Sequence, residues 1–244
     1  MKLNFTGITD PGLIRSNNQD AYYIDPKGRF FVVADGMGGH AGGEEASRIA
    51  TQEIRAYLEE NWQSPQSSSE LLDQALWKAN EAILQDQQHH PERADMGTTA
   101  VVVVFREPES PYCSHVGDSR LYRWRNSQLQ QITEDHTWVA RAIRVGDITT
   151  DEARIHPFRH VLSRCLGRDD LHQIDVQSLD VQAGDRLLLC SDGLTEELVE
   201  QKINHCLQSH PSLEQAANSL VVAAKEEGGH DNITVILVAA DHNS

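Results

Sequence analysis

Aspartate recurs where apolar, β-prone runs stop or start, and this placement constrains the chain more than any other feature. FFVVA (Phe30 to Ala34) leads into Asp35, CSHVG (Cys113 to Gly117) into Asp118 and LLLCS (Leu187 to Ser191) into Asp192, while Asp231 precedes ITVILVA (Ile233 to Ala239). Short apolar runs bounded by turn formers read as buried strands, and AVVVVF (Ala100 to Phe105) is another. A surface carboxylate needs no such position. A site for hard cations does, because its oxygen ligands have to be brought together by rigid elements. Convergence of these acids on one sheet edge is the economical expectation.

Glycines adjoin most of them, in Asp35-Gly36-Met37-Gly38-Gly39, Gly117-Asp118-Ser119, Ser191-Asp192-Gly193 and Gly228-Gly229-His230-Asp231. Glycine permits tight turns and close approach of backbone to a ligand. One Asp-Gly pair taken alone is a plain turn. Four such sites, each against a strand, form a pattern.

Between the strands the apolar period changes to that of a helix. Glu44 to Glu60 puts Ala46, Ile49, Ala50, Ile54 and Tyr57 on one face, and Ser69 to Gln88 does so with Leu72, Ala75, Leu76, Ala79 and Ile83. A third helix is expected from Ser212, with Gln215 completing a capping-box pattern, to Gly228-Gly229. Arg120 to Ile132 has two β-prone stretches around Asn126-Ser127, which predicts a hairpin. The polar stretches Trp62 to Ser69 and Arg106 to Pro111 are too short for domain linkers, and no repeat stands out. Residues 1–244 are therefore expected to form one domain of layered α+β type.

Composition excludes more than it identifies. A net charge of -16 disfavours binding to nucleic acid, which calls for clustered Lys and Arg. Cys113, Cys165, Cys190 and Cys206 are scattered, without a C-x-x-C pair, and read as reduced buried thiols. The first twenty residues lack the apolar core of a secretory signal, and no run reaches membrane-spanning length. A cytoplasmic location with no membrane association is the default expectation.

Six segments, in order, carry a resemblance: RSNNQDA (Arg15 to Ala21), VADGMGGHAGG (Val33 to Gly43), MGTTA (Met96 to Ala100), HVGDSRLY (His115 to Tyr122), LCSDGL (Leu189 to Leu194) and GGHDNITV (Gly228 to Val235). Together they resemble the metal-dependent protein phosphatases of the PPM, or type 2C, family along the whole chain. The resemblance implies a four-layer α-β-β-α sandwich, two antiparallel sheets flanked by helices, with a metal centre in a cleft at one end. It implies Asp20, Asp35, the backbone carbonyl of Gly36, Asp192 and Asp231 as ligands of two core ions. Asp118 matches a ligand of a weaker third ion shared with Asp192, and Arg15 matches the residue that holds substrate phosphate. Residues 135–160, with Arg141, Arg144 and His156-Pro157, fall where bacterial relatives carry a flap beside the active site, and are expected either to touch substrate or to be a plain helical excursion.

The chemistry suits these residue types. Hydrolysing a phosphomonoester means bringing a poor nucleophile to a dianion and releasing an alkoxide. Two cations about 3.5–4 Å apart can lower the pKa of a shared water and aim it for in-line attack. All-oxygen ligands, without a Cys or His cluster at zinc spacing, favour Mg²⁺ or Mn²⁺. A planar guanidinium at Arg15 offers paired donors to phosphate oxygens. His40 could donate a proton to the leaving oxygen. Many eukaryotic relatives carry their histidine directly after the Asp-Gly pair, where this chain has Met37. A structural role for His40, or a metal-held water as the acid, stands as an equal reading.

A cysteine-dependent tyrosine phosphatase is disfavoured because no C-x5-R spacing occurs, and a serine hydrolase because no G-x-S-x-G elbow does. A catalytically silent phosphoprotein-binding scaffold is opposed by the full acid set. The expected partner is a protein phosphorylated on Ser or Thr, with the signalling protein PII one candidate by similarity to stand-alone cyanobacterial members. A monomer is the default.

Overall fold

The computed structural model describes residues 1–39 and 42–241. Strands β1 (Lys2–Asp10), β2 (Asp20–Ile24) and β3 (Phe30–Met37) precede the long helices α1 (Gly42–Asn61) and α2 (Ser68–His89). Strands β4 (Gly97–Thr98), β5 (Ala100–Val104), β6 (Tyr112–Val116), β7 (Arg120–Arg125) and β8 (Gln128–Gln131) follow. Helices α3 (Trp138–Val145) and α4 (Thr150–Arg154) then lead to β9 (Asp175–Ser178) and β10 (Arg186–Cys190). Helices α5 (Asp192–Thr195), α6 (Glu200–Ser209) and α7 (Leu213–Glu227) come before β11 (Ile233–Asp241).

The strands pair antiparallel into two sheets, ordered β1-β11-β10-β7-β8 and β2-β3-β5-β6-β9, with β4 against the end of β3. Alternation along each strand explains the stacking, because successive side chains point to opposite faces. In β3, Phe30 and Val32 pack with α1 and α2, while Phe31 and Val33 meet the facing sheet. In β11, Val235 and Leu237 pack with α6 and α7, while Ile236 and Val238 face inward. Four layers follow from that alternation, as the family resemblance implied.

The expected helices form with ends displaced by at most two residues. Helix α2 starts one residue early because Ser67 caps it, with Glu70 closing a reciprocal capping box. Ser212 caps α7 through Gln215 N–H at 3.5 Å, but its hydroxyl donates to Glu214, so the expected reciprocal box with Gln215 is replaced. Asn126 and Ser127 take φ of 52° and 61°, the left-handed pair of a tight hairpin turn. Strand β3 runs past Ala34 to Met37, since Gly36 and Met37 pair with Thr98 and Gly97; Asp35 therefore lies inside a strand rather than after it. Among the described residues, no helix is long and apolar enough to cross a membrane. All four cysteines are free and buried.

The turn from β2 to β3 rests on Asp25, only 1% exposed. Its carboxylate accepts from the backbone N–H of Lys27 and Arg29 at 3.0 and 3.1 Å, and from the Arg29 guanidinium at 3.0 and 2.7 Å. Burial alone would raise its pKa, but the Arg29 bonds and charge outweigh it and hold the group below the usual carboxylate range. A depressed folded value means stability present above the unfolded pKa and lost as pH falls through the folded one. Asp25→Ala strips the buried partner from Arg29, and urea unfolding should show a loss of about 2–4 kcal/mol at neutral pH. A change within about 0.5 kcal/mol, the range of an ordinary surface substitution, would mean the turn does not depend on this pair.

Candidate metal centre

Sheet register alone brings the first two carboxylates together: Asp20 opens β2 directly opposite Asp35 in β3. The others arrive from turns at the same end. Asp118 sits in the turn where the chain crosses from β6 in one sheet to β7 in the other, Asp192 begins α5 just after β10, and Asp231 lies two residues before β11.

The sheets are joined at this end by hydroxyls. Asp20 Oδ2 accepts from Ser191 Oγ at 2.7 Å and from Thr234 Oγ1 at 2.6 Å, both fully buried residues of the opposite sheet end. Asp35 N–H donates to Thr99 Oγ1 at 3.0 Å, and Thr99 Oγ1 contacts Ser119 Oγ at 2.6 Å beside Asp118. Asn232 fastens the loop that carries Arg15: its side-chain amide donates to the carbonyls of Pro11 and Asn17, at 3.0 and 2.9 Å, and accepts from Gln19 N–H at 2.7 Å. Gly36 and Gly43 approach so closely that a Cβ on Gly36 would lie 1.9 Å from the Gly43 carbonyl oxygen. No larger residue fits there.

The electrostatics are those of acids forced together. Burial pushes the Asp20 carboxyl up to about 7, with the charges of Asp192 and Asp231 adding to it against the two hydroxyl bonds. Burial, followed by Asp20 and Asp192, raises Asp35 well above the usual range. Asp118 is raised by burial, then by Asp192 and Asp135, with Arg120 opposing. Burial also raises Asp192. Asp20 Oδ1 is buried and, among the described residues, has no hydrogen-bond partner. Buried acceptors are almost always satisfied, so an orphan oxygen among like charges marks a place for a cation. Carboxylate and carbonyl oxygens are the donor set for a hard divalent ion. The residues fit such ions.

Arg15 stands at the rim, half-exposed, with Nη2 2.6 Å from Asp231 Oδ2. Together with Asp118, Asp192 and Asp231 it lines a cleft of about 1140 Å³. The far wall is the excursion expected from residues 135–160, whose helices α3 and α4 bury little beyond Ala142 and Ala153. It is tied at its base by Trp138 N–H to the Val161 carbonyl at 2.8 Å, and over the cleft by His160 Nδ1 against Glu196. The sequence-predicted Asp20, Asp35, Gly36, Asp118, Asp192, Asp231 and Arg15 are all brought to one end; His40 lies outside the described residues. Sequence reasoning missed Ser191, Thr234, Asn232, His160 and Glu196. The first three stand inside quoted motifs near Asp192 or Asp231, but Ser191 and Thr234 act on Asp20, 171 and 214 residues away, and no local signal marks that partner.

Sandwiched sheets with a buried acid cluster at one cleft define a scaffold that offers all-oxygen ligands to divalent cations. The family model for protein phosphatase 2C matches residues 15–236. The serine/threonine protein phosphatase PstP of Mycobacterium tuberculosis is 36% identical over 235 residues, covering 96% of this chain and 44% of that protein. The chain thus spans less than half the length of that relative. The serine/threonine phosphatase stp of Listeria monocytogenes is 34% identical over 242 residues, covering 96% of this chain and 94% of stp. A crystal structure of the PstP catalytic domain with two manganese ions superposes with a TM-score of 0.84 at 33% identity, covering 98% of this chain and 99% of that one. The chain belongs to the protein phosphatase 2C family of serine/threonine phosphatases.

Acids with raised folded pKa values bind more protons in the folded chain than in the unfolded one. Stability is then present at low pH and lost as pH rises through the folded values, with Asp20 at about 7. Thermal melts of chelator-treated protein should therefore fall between about pH 5 and pH 8, and added Mn²⁺ or Mg²⁺ should flatten the slope. An unchanged slope with metal would count against a cation among these acids.

Proposed function

We propose that this chain hydrolyses phosphoserine and phosphothreonine esters of proteins in bacterial signalling. The observation that carries the proposal is the buried convergence of Asp20, Asp35, Asp192 and Asp231, with an orphan oxygen on Asp20. In this reading those four carboxylates and the Gly36 carbonyl hold two Mn²⁺ or Mg²⁺ ions, and Asp118 with Asp192 holds a weaker third. When bound, such ions lower the pKa of water towards neutrality and neutralise charge on the phosphoryl oxygens.

The chain's own residues do the rest. Arg15 spends one of its donors on Asp231, lines the cleft, and binds phosphate with the fork geometry of a guanidinium. Asp231 orients that guanidinium. Ser191 and Thr234 hold Asp20 through Oδ2, so that Oδ1 is kept for the cation. The helical lobe of residues 138–161 walls the cleft and makes the contacts with the protein around the phosphorylated residue. Free, buried thiols support a reducing, cytoplasmic setting, and the chain acts as a monomer.

Phosphate release from a phosphothreonine peptide should require Mn²⁺ or Mg²⁺, stop with chelator, and vanish in Asp192→Ala. Asp118→Ala should lose about 10–100-fold in turnover while metal analysis still finds two ions. Folded, metal-loaded protein with no turnover above the Asp192→Ala background would return the chain to the scaffold reading.

Replacing residues 138–161 by a short turn should change preference among phosphoproteins, phosphorylated PII included, more than turnover of a small aryl phosphate. Equal effects on both would remove the lobe from substrate recognition.

A further inference from the structure

Two buried histidines stack behind the Gly117-Asp118-Ser119 turn. The rings of His115, in β6, and His136, after β8, lie 4.5 Å apart at 23°, and the residues are 3% and 2% exposed. With Asp175, at the start of β9, they bring three ligand-type atoms within 4.8 Å of one another. A cation is disfavoured there, because Arg164 already places Nη1 and Nη2 2.9 and 3.3 Å from the two Asp175 oxygens, and like charges repel at that range.

The hydrogen bonds give these groups a different task. Gly117 N–H donates to His136 Nδ1 at 3.1 Å. A ring nitrogen that accepts carries no proton, so the neutral imidazole keeps its proton on Nε2. That N–H lies 3.1 Å from Asp175 Oδ2. The His136 backbone N–H donates to the Gly117 carbonyl at 3.0 Å. One residue thus satisfies both main-chain groups of Gly117, whose φ of +102° is reserved for glycine, immediately before Asp118. Ser163 N–H, on the segment returning from the helical lobe, donates to the His136 carbonyl at 2.8 Å. Burial, with His115 and Arg164, holds His136 at about 4, so the ring is neutral in the working range. Burial would raise Asp175, but Arg164 and His136 prevail and bring it to about 2, a fixed anion for the Nε2 proton.

We propose that His136, oriented by Asp175 and Arg164, is a positioning residue that sets the Gly117 turn and thereby aims the Asp118 carboxylate into the cleft. The relay runs Arg164, Asp175, His136, Gly117, Asp118, and it passes the base of the helical lobe. It rests on the assignment of Asp118 to catalysis.

His136→Leu should lower kcat on a small aryl phosphate by about 10–100-fold, with KM within about 2-fold. His136→Asn, whose Oδ1 stands in for Nδ1 towards Gly117 N–H, should restore most of that loss. In an Asp118→Ala background the His136→Leu penalty should shrink below about 2-fold, since residues acting as one unit are not additive. Equal penalties in both backgrounds, with Asp118→Ala itself impaired, would sink the relay alone. Full activity of Asp118→Ala would sink the assignment beneath it, and the relay too. Should His136→Leu fail to fold, His136→Asn in the two backgrounds and nitrogen NMR of metal-free protein decide. The Nε2–H tautomer is expected in the spectrum, and the Nδ1–H tautomer overturns the proposal.

Discussion

Among the described residues, Asp20 takes two hydroxyl hydrogen bonds from the opposite sheet on one oxygen and none on the other. That asymmetry governs this end of the molecule. Ser191 and Thr234 are neutral, so they can fix a carboxylate without cancelling its charge, whereas a lysine in their place would form a closed ion pair. The arrangement costs stability, because burial raises the pKa values of Asp35, Asp118 and Asp192, with the charge of Asp192 adding to the first two and that of Asp231 adding to Asp192. Folding has to be driven elsewhere. The three apolar layers supply it, with about 1.5–3 kcal/mol for each large aliphatic or aromatic side chain fully buried.

Rigid elements and loops divide the labour. Register places Asp20 against Asp35, and nothing but a shift of the whole strand can separate them. Asp118, Asp192 and Asp231 come from turns, and each turn has its own fastening: Thr99 with Ser119, the start of α5, and Asn232. Arg15, on a loop held by Asn232, is half-exposed, with its guanidinium held by Asp231 at 2.6 Å.

Much of this was legible in the sequence, for reasons particular residues make plain. FFVVA, AVVVVF, LLLC (Leu187 to Cys190) and VILVA (Val235 to Ala239) are unbroken apolar runs because their strands are covered on both faces. Strands β1 and β2 were not expected: KLNFTGITD and DAYYI lie at sheet edges, contain no fully buried residue, and mix polar with apolar residues. Helix α6 was missed because its ten residues bury only Ile203, Cys206 and Leu207. Asp35, Asp118, Asp192 and Asp231 could be read since each ends or starts an apolar run, whereas Asp20 came only from the family resemblance. Their supports could not, because Ser191 and Thr234 act across sheets and His136 acts across turns far apart in the chain.

Strand β11 lies between β1 and β10, matched to β1 over nine pairs from Lys2↔Asp241 to Asp10↔Ile233. Of all the described strands it leaves the ribosome last. Until then β1, the first to emerge, has no partner in its sheet, and Asp231 is missing from the acid cluster. During synthesis the half built on α1 and α2 can settle early, while the acid-bearing end waits for the closing strand. Pairing of such distant segments carries a large loop-closure cost and is slow. A nascent chain of this kind leaves an exposed strand edge for chaperones to guard, and no partial product can hold the complete set of acids.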